Sequence, residues 1–214
     1  RMSLIVLIWS LGASASVAFA LLHFLIWIRQ RQVCTHLFFA FASAAVGAIA
    51  ICELLMMHAA STEDFAHTLR WIHLPIFVLI VSLACYVRTA FNAGPLWLLW
   101  LIIALRSAAL AANFAVAENL NYRKITTLEA IPFFGGEKVM VAQGITNPWG
   151  MLGQLGALMF VVFVLAASIE RWAKGPPGER RRTLLVGGSI SLFGLAAVTQ
   201  TILVNWQLIQ MPYL

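Results

Sequence analysis

The sequence predicts an all-α fold, a polytopic bundle of transmembrane helices, and three observations predict it. The chain has 214 residues, of which 62% are apolar and only 10% charged, whereas soluble domains carry about 25% charged residues. Its mean hydropathy is +0.89. Six apolar stretches reach the length that crosses a bilayer core, roughly 20 residues at about 1.5 Å each. Within them the apolar residues run continuously rather than alternating, which excludes the strands of a membrane barrel. So little polar surface cannot cover a soluble globule, and the solvent is lipid.

The first segment, about 4–28, ends in Trp27-Ile-Arg-Gln-Arg31 with no small-residue cleavage site, so it reads as a span and not as a removed signal peptide. The second, about 35–58, carries Glu53, and the third, about 69–91, holds His73 near its start. The fourth, about 95–115, starts at Pro95 and contains Arg106. The fifth, about 149–170, follows Asn147-Pro-Trp149, with Trp149 placed as an interface anchor. The sixth, about 183–208, follows the tight loop Gly175-Pro-Pro-Gly178. The connection over about 116–148 is the long one, and loops of that length are usually functional or structured. Within it, 127–143 reads as two short extended runs about Gly135-Gly136, an acceptable hairpin turn. Phe133, Phe134, Val139 and Val141 would give that hairpin an apolar face. The expectation is a cap over the outer mouth of the bundle, with Phe133, Phe134 and Trp149 as lid residues. Residues 1–214 read as one transmembrane domain.

A net charge of +6 could indicate nucleic acid, but its placement indicates a membrane instead. Eight basic residues fall in the loops after segments one, three and five (Arg29, Arg31, Arg88, Arg171, Lys174 and Arg180 to Arg182), with only Glu170 and Glu179 opposing them. On the other side Arg1, Arg70, Arg123, Lys124 and Lys138 are balanced by Glu63, Asp64, Glu118, Glu129 and Glu137. Arg1 carries little weight in this count. The positive-inside rule then places the N-terminus and the long loop outside. With six crossings the chain ends outside as well, and Met211-Pro212 reads as a turn from which a helix starts. A seventh helix beyond Leu214 is expected.

Arg106 is the costly residue, about 2.5–3.5 kcal/mol at the middle of a membrane helix. It lies eleven residues past Pro95, about 16 Å into a core of about 30 Å. Asn113 lies on the same face, nearly two turns on. Glu53 is about 8 Å from the outer end of its segment. With His73, Gln154, Gln200 and Asn205, these groups gather in the outer half. Two readings stay open. In one, Arg106 and Glu53 form a buried ion pair that fixes helix register. In the other, they belong to a pocket open to the periplasm, where Arg106 meets an anionic or carbonyl-bearing ligand. A ligand that competed with Glu53 for Arg106 would act as a switch. Arg106, Glu53, Asn113, His73, Gln154, Gln200 and Asn205 are the candidate contacts.

His58, His73 and Glu53 near the outer face would suit Zn²⁺ or Cu²⁺. His58 with His73, or His23 with His36, stand at matching depths for a haem. These residues carry the alternative, a membrane metal- or haem-binding redox protein. No HxxxH motif occurs, and no helix carries two histidines at opposite depths. The plain reading is interfacial histidines and no cofactor. Cys34, Cys52 and Cys85 lack CxxC spacing and read as small buried hydrophobes. Every lysine lies in a loop, which leaves these helices without a retinal Schiff base. GxSxG, HExxH and P-loop motifs are missing, and the one aspartate, Asp64, lies in a loop. No catalytic residue is expected here.

Several stretches carry a resemblance: His73-Leu-Pro-Ile-Phe-Val-Leu79, Leu105-Arg-Ser107, Asn119-Leu-Asn-Tyr-Arg-Lys-Ile-Thr126, Gly144-Ile-Thr-Asn-Pro-Trp149, Gly187-Gly-Ser-Ile190 and Met211-Pro-Tyr213. Together they resemble the N-terminal multi-helix membrane region of proteobacterial sensor histidine kinases that continue into PAS and kinase domains. The resemblance spans most of 65–214 and is weaker before that. It implies a seven-helix sensor with its N-terminus outside, a cytoplasmic kinase in the same chain, a response regulator as partner and a homodimer. Relatives often show an aspartate at the inner end of segment five, where this chain has Ala166-Ala-Ser168. The resemblance names no ligand.

Overall fold

The computed structural model describes residues 3–116 and 118–212. Arg1, Met2, Tyr213 and Leu214, on which parts of the N- and C-terminal expectations fall, lie outside the described residues. The helices are α1 (Leu4–Arg29), α2 (Cys34–Met57), α3 (Thr62–Trp71), α4 (His73–Phe91), α5 (Leu96–Ala115), α6 (Gly150–Lys174) and α7 (Pro177–Asn205). Two strands, β1 (Tyr122–Pro132) and β2 (Lys138–Thr146), pair antiparallel as a ribbon. Six helical spans are long and apolar enough to cross a membrane, α3 and α4 counting together as one. The chain is therefore a multi-pass membrane protein built as a helix bundle with one small sheet.

Local chemistry sets the element ends. The Ser3 hydroxyl accepts from Val6 N–H (3.2 Å) and caps α1. Ser61 accepts from Asp64 N–H (3.1 Å) and starts α3, whose first turn then carries Glu63 and Asp64 against the helix dipole. Segment three was expected to begin near 69. The helix instead begins at Thr62, His67 lies on α3, and the break falls at Ile72. Pro75 explains the break: it has no N–H to give the Trp71 carbonyl, so the helical ladder is interrupted there. Asn92 in the left-handed region (φ 47°) and Gly94 (φ 98°) turn α4 into α5.

Helix α1 packs on α2, α2 on α4, α5 on α6 and α6 on α7, while α4 also meets α5 and α6. The helix core lies between α4, α5 and α6, around Val87, Phe91, Ile102, Phe163 and Val164. Large apolar side chains on the outer faces, such as Leu21, Trp100 and Leu192, remain exposed, as lipid-facing positions do. A second apolar cluster sits at one end of the bundle. There Tyr122 and Ile125 of β1 pack on Met56, Phe65, Leu69 and Ile72, and Val139 of β2 packs on Ile5 and Met57. The ribbon thus rests on the ends of α1, α2 and α3. It is longer than the sequence suggested, 122–146 instead of 127–143, with register irregularities near Lys124 and Thr127. Gly135 and Gly136 make the turn with positive φ (68° and 79°). Of its expected apolar face, Val139 and Val141 are buried and Phe133 packs near Trp9, but Phe134 is 57% exposed.

Candidate functional site

Arg106 is 6% exposed on α5. Its Nη1 donates to the Gly153 carbonyl of α6 at 3.0 Å. The room for it comes from small residues: Gly150, Gly153 and Gly156 are all buried on α6. A Cβ on Gly156 would stand 2.8 Å from Arg106 Cδ, so the guanidinium stem lies directly against that glycine. The expected Arg106–Glu53 ion pair is not formed. Glu53 on α2 faces α1 and accepts from Trp9 Nε1 at 2.9 Å. The two ion pairs among the described residues, Arg171–Glu179 and Lys174–Glu170, lie at the opposite end from the ribbon. Counting residues gave both groups a depth but not a direction around the bundle. Arg106 faces α6, so the two cannot meet.

Asn113 and His73 belong to a buried hydrogen-bonded network that joins the foot of the ribbon to α3, α4, α5, α6 and α7. Asn113 Oδ1 accepts from Leu120 N–H (2.9 Å), and its Nδ2 donates to the Arg70 carbonyl of α3 (2.8 Å). His73 Nε2 donates to Asn121 Oδ1 (3.0 Å), and Asn121 Nδ2 donates to Asn205 Oδ1 of α7 (3.1 Å). Asn119 Oδ1 accepts from the N–H groups of Asn121 (2.9 Å) and Tyr122 (2.8 Å). Asn147 Nδ2 donates to the Asn119 carbonyl, its N–H to the Asn121 carbonyl, and its own carbonyl accepts from Gly150 N–H at the start of α6. All five asparagines and His73 are buried. The foot of the ribbon and the ends of α3 to α7 are thus one polar unit. Asn119 Nδ2 is buried without a partner among the described residues.

The remaining candidate contacts sit nearby but apart. Gln154 accepts weakly from Trp206 Nε1 (3.4 Å), and Gln200 donates to the Pro212 carbonyl (3.0 Å). The metal reading needs His58, His73 and Glu53 together, and the structure separates them. His58 is exposed and bonds the Leu54 carbonyl of its own helix (2.9 Å), while His73 is committed to Asn121. No group of three His, Cys, Asp or Glu side chains suited to a metal ion occurs among the described residues. His23 and His36 do meet, at 3.0 Å between their Nδ1 atoms. Phe133 contacts Trp9 edge-on (6.4 Å between centroids), so it docks on α1. Phe134 (57%) and Trp149 (50%) are exposed.

Asn119, Asn121, Asn147, Arg70 and the α6 glycines were not among the expected site residues. Asparagines flanking a long loop read as turn punctuation; their number in so apolar a chain was the available signal. Two cavities lie at this end. One, about 10 Å³ beside Glu53, Met56 and Met57, has room for about one water. The other is a groove of about 300 Å³ between α3 and the foot of β1. Neither is lined by Arg106. Comparison of the chain with protein-family models, curated proteins and solved structures finds no match.

Proposed function

We propose that this chain is the membrane sensory region of a bacterial two-component sensor histidine kinase, set in the inner membrane with its N-terminus and ribbon on the periplasmic side. The observation that carries the reading is the buried asparagine–histidine network at the ribbon end. Polar groups buried among apolar helices are costly unless fully bonded. Their concentration at one end, tied both to a surface ribbon and to five helix ends, suits a device that turns an external event into helix displacement. The loop charges and the resemblance to sensor-kinase membrane regions support the same assignment.

In this reading a small ligand, soluble or carried in the membrane, acts on the outer half of the bundle. The ribbon is the cap, and the network passes its position to α4, α6 and α7. A seventh helix then leads to cytoplasmic PAS and kinase domains, which hold the catalytic residues, work as a homodimer and phosphorylate a response regulator. The gene tests this directly. The reading frame is expected to continue past the Leu214 codon into one more apolar helix and soluble signalling domains. A stop codon there, or a continuation with no kinase sequence, overturns the proposal.

A further inference from the structure

We infer that the groove between α3 and β1 is a binding site for a small zwitterion, a molecule holding an ammonium and an oxyanion a few ångströms apart. Its volume of about 300 Å³ is at the lower end of small-ligand sites, roughly 300–1,000 Å³. One wall is a single face of α3, where Thr62, Ala66 and Arg70 repeat every four residues with Glu63 and His67 alongside. The adjoining face of α3 is already used, because Phe65 and Leu69 are buried under the ribbon. Glu118 and Ile125 form the other wall.

The charges of this groove are mixed in a particular way. Glu63 is exposed with no ion pair among the described residues, and Glu118 is held in place by accepting from Ile125 N–H (2.9 Å). Arg70 is fixed too: its Nη2 donates to the Phe114 carbonyl (2.7 Å) and its guanidinium lies 5.6 Å from the Phe114 ring centroid. Yet Arg70 Nε is buried without an acceptor among the described residues, so the guanidinium is incompletely satisfied as it stands. A bare anion here meets two carboxylates, and a bare cation meets Arg70. An ammonium toward Glu63 and Glu118 with an oxyanion toward Arg70 satisfies both signs, and Ala66 and Ile125 leave an apolar patch for a short side chain. Two sources share this chemistry: a free amino acid, and the phosphoethanolamine headgroup of a zwitterionic lipid. Because the Arg70 carbonyl accepts from Asn113, an occupant pressing on α3 acts on the buried network.

The proposal deepens the sensory reading and rests on it for its purpose, but binding is measured without any signalling output. The full-length protein is placed in nanodiscs of phosphatidylglycerol, which lacks an ammonium. The standard amino acids, added singly, and free phosphoethanolamine are then titrated and followed by calorimetry. In parallel, discs containing phosphatidylethanolamine are examined by native mass spectrometry for retained lipid. Binding of an amino acid assigns the free source; phosphoethanolamine binding together with retained phosphatidylethanolamine assigns the lipid. In either arm Glu63→Gln, which removes no hydrogen bond of the fold, is expected to weaken binding about tenfold, the loss of one charge-assisted contact. Arg70→Gln is expected to do at least as much. No binding in either arm, or binding that Glu63→Gln and Ala66→Trp both leave unchanged, overturns the groove and leaves the sensory reading standing. Binding as expected in a protein whose reading frame holds no kinase overturns the sensory reading alone.

Discussion

At the scale of single residues, the packing of Arg106 against α6 separates two glycines that look alike in the sequence. Alanine at Gly156 would put a methyl group 2.8 Å from Arg106 Cδ, inside a buried contact. Gly156→Ala is therefore expected to destabilise the protein by about 1–3 kcal/mol, the usual cost of overpacking. Gly188 on α7 has nothing within 4 Å of such a methyl, so Gly188→Ala should be neutral or stabilising by up to about 1 kcal/mol, as alanine is in a helix. Thermal unfolding of both variants in detergent checks the pair, and equal effects would remove Arg106 from the explanation. The depth of Arg106 was legible because position along a helix is a matter of counting. Its partner was not, because helices that are apolar nearly all round give no direction to a side chain. Glu53 was the only carboxylate away from the ends of the expected spans, and so it looked like the obvious mate.

At the scale of elements, the six spans could be read from run length alone, whereas α3 and the ribbon could not. The polar residues Thr62, Glu63 and Asp64 made the start of α3 look like a loop, although Ser61 followed by acidic residues is a helix-start pattern. The ribbon began five residues earlier than expected, at Tyr122 against 127, because Arg123 and Lys124 broke the apolar alternation that marks a strand. Its tip is tied to the start of α1: Glu137 accepts from the Ser3 hydroxyl and from Leu4 N–H. The Ser3 hydroxyl first, then the Leu4 N–H, hold the Glu137 carboxyl below its ordinary value of 4.5. A depressed carboxylate stabilises the folded state fully above its unfolded value, and that contribution fades as pH falls through the folded value. The tip is thus expected to loosen only in acid, below about pH 4.5. A spin label at position 134, in a background lacking other cysteines, should become more mobile over that range. Glu137→Gln should be mobile at neutral pH and insensitive to acid. A label equally fixed in both proteins at every pH would show that the carboxylate does not hold the tip.

At the scale of the whole molecule, the ribbon, five helix ends and the buried asparagines form one connected body at one end, while the other end is charged loops. The proposed orientation in a bacterial inner membrane rests on those loops and is open to a direct check. Cys34 is exposed at the start of α2, the end away from the ribbon. It should react with a membrane-impermeant maleimide only after the inner membrane is permeabilised. Labelling in intact spheroplasts would invert the topology and move the ribbon to the cytoplasm. Much of this architecture was legible from apolar run lengths and loop charges. The network was not, because its members are scattered from His73 to Asn205 and come together only through the fold. In the proposed function this network makes ribbon and helices move as one. Asn121 is its hub, bonded to His73, Asn119, Asn147 and Asn205. Amide hydrogen exchange on Asn121→Ala therefore tests it most directly. Protection is expected to fall together at the foot of the ribbon, at the Leu120 amide and at the first turn of α6. Loss confined to residues next to Asn121, with α6 and Leu120 unchanged, would contradict it.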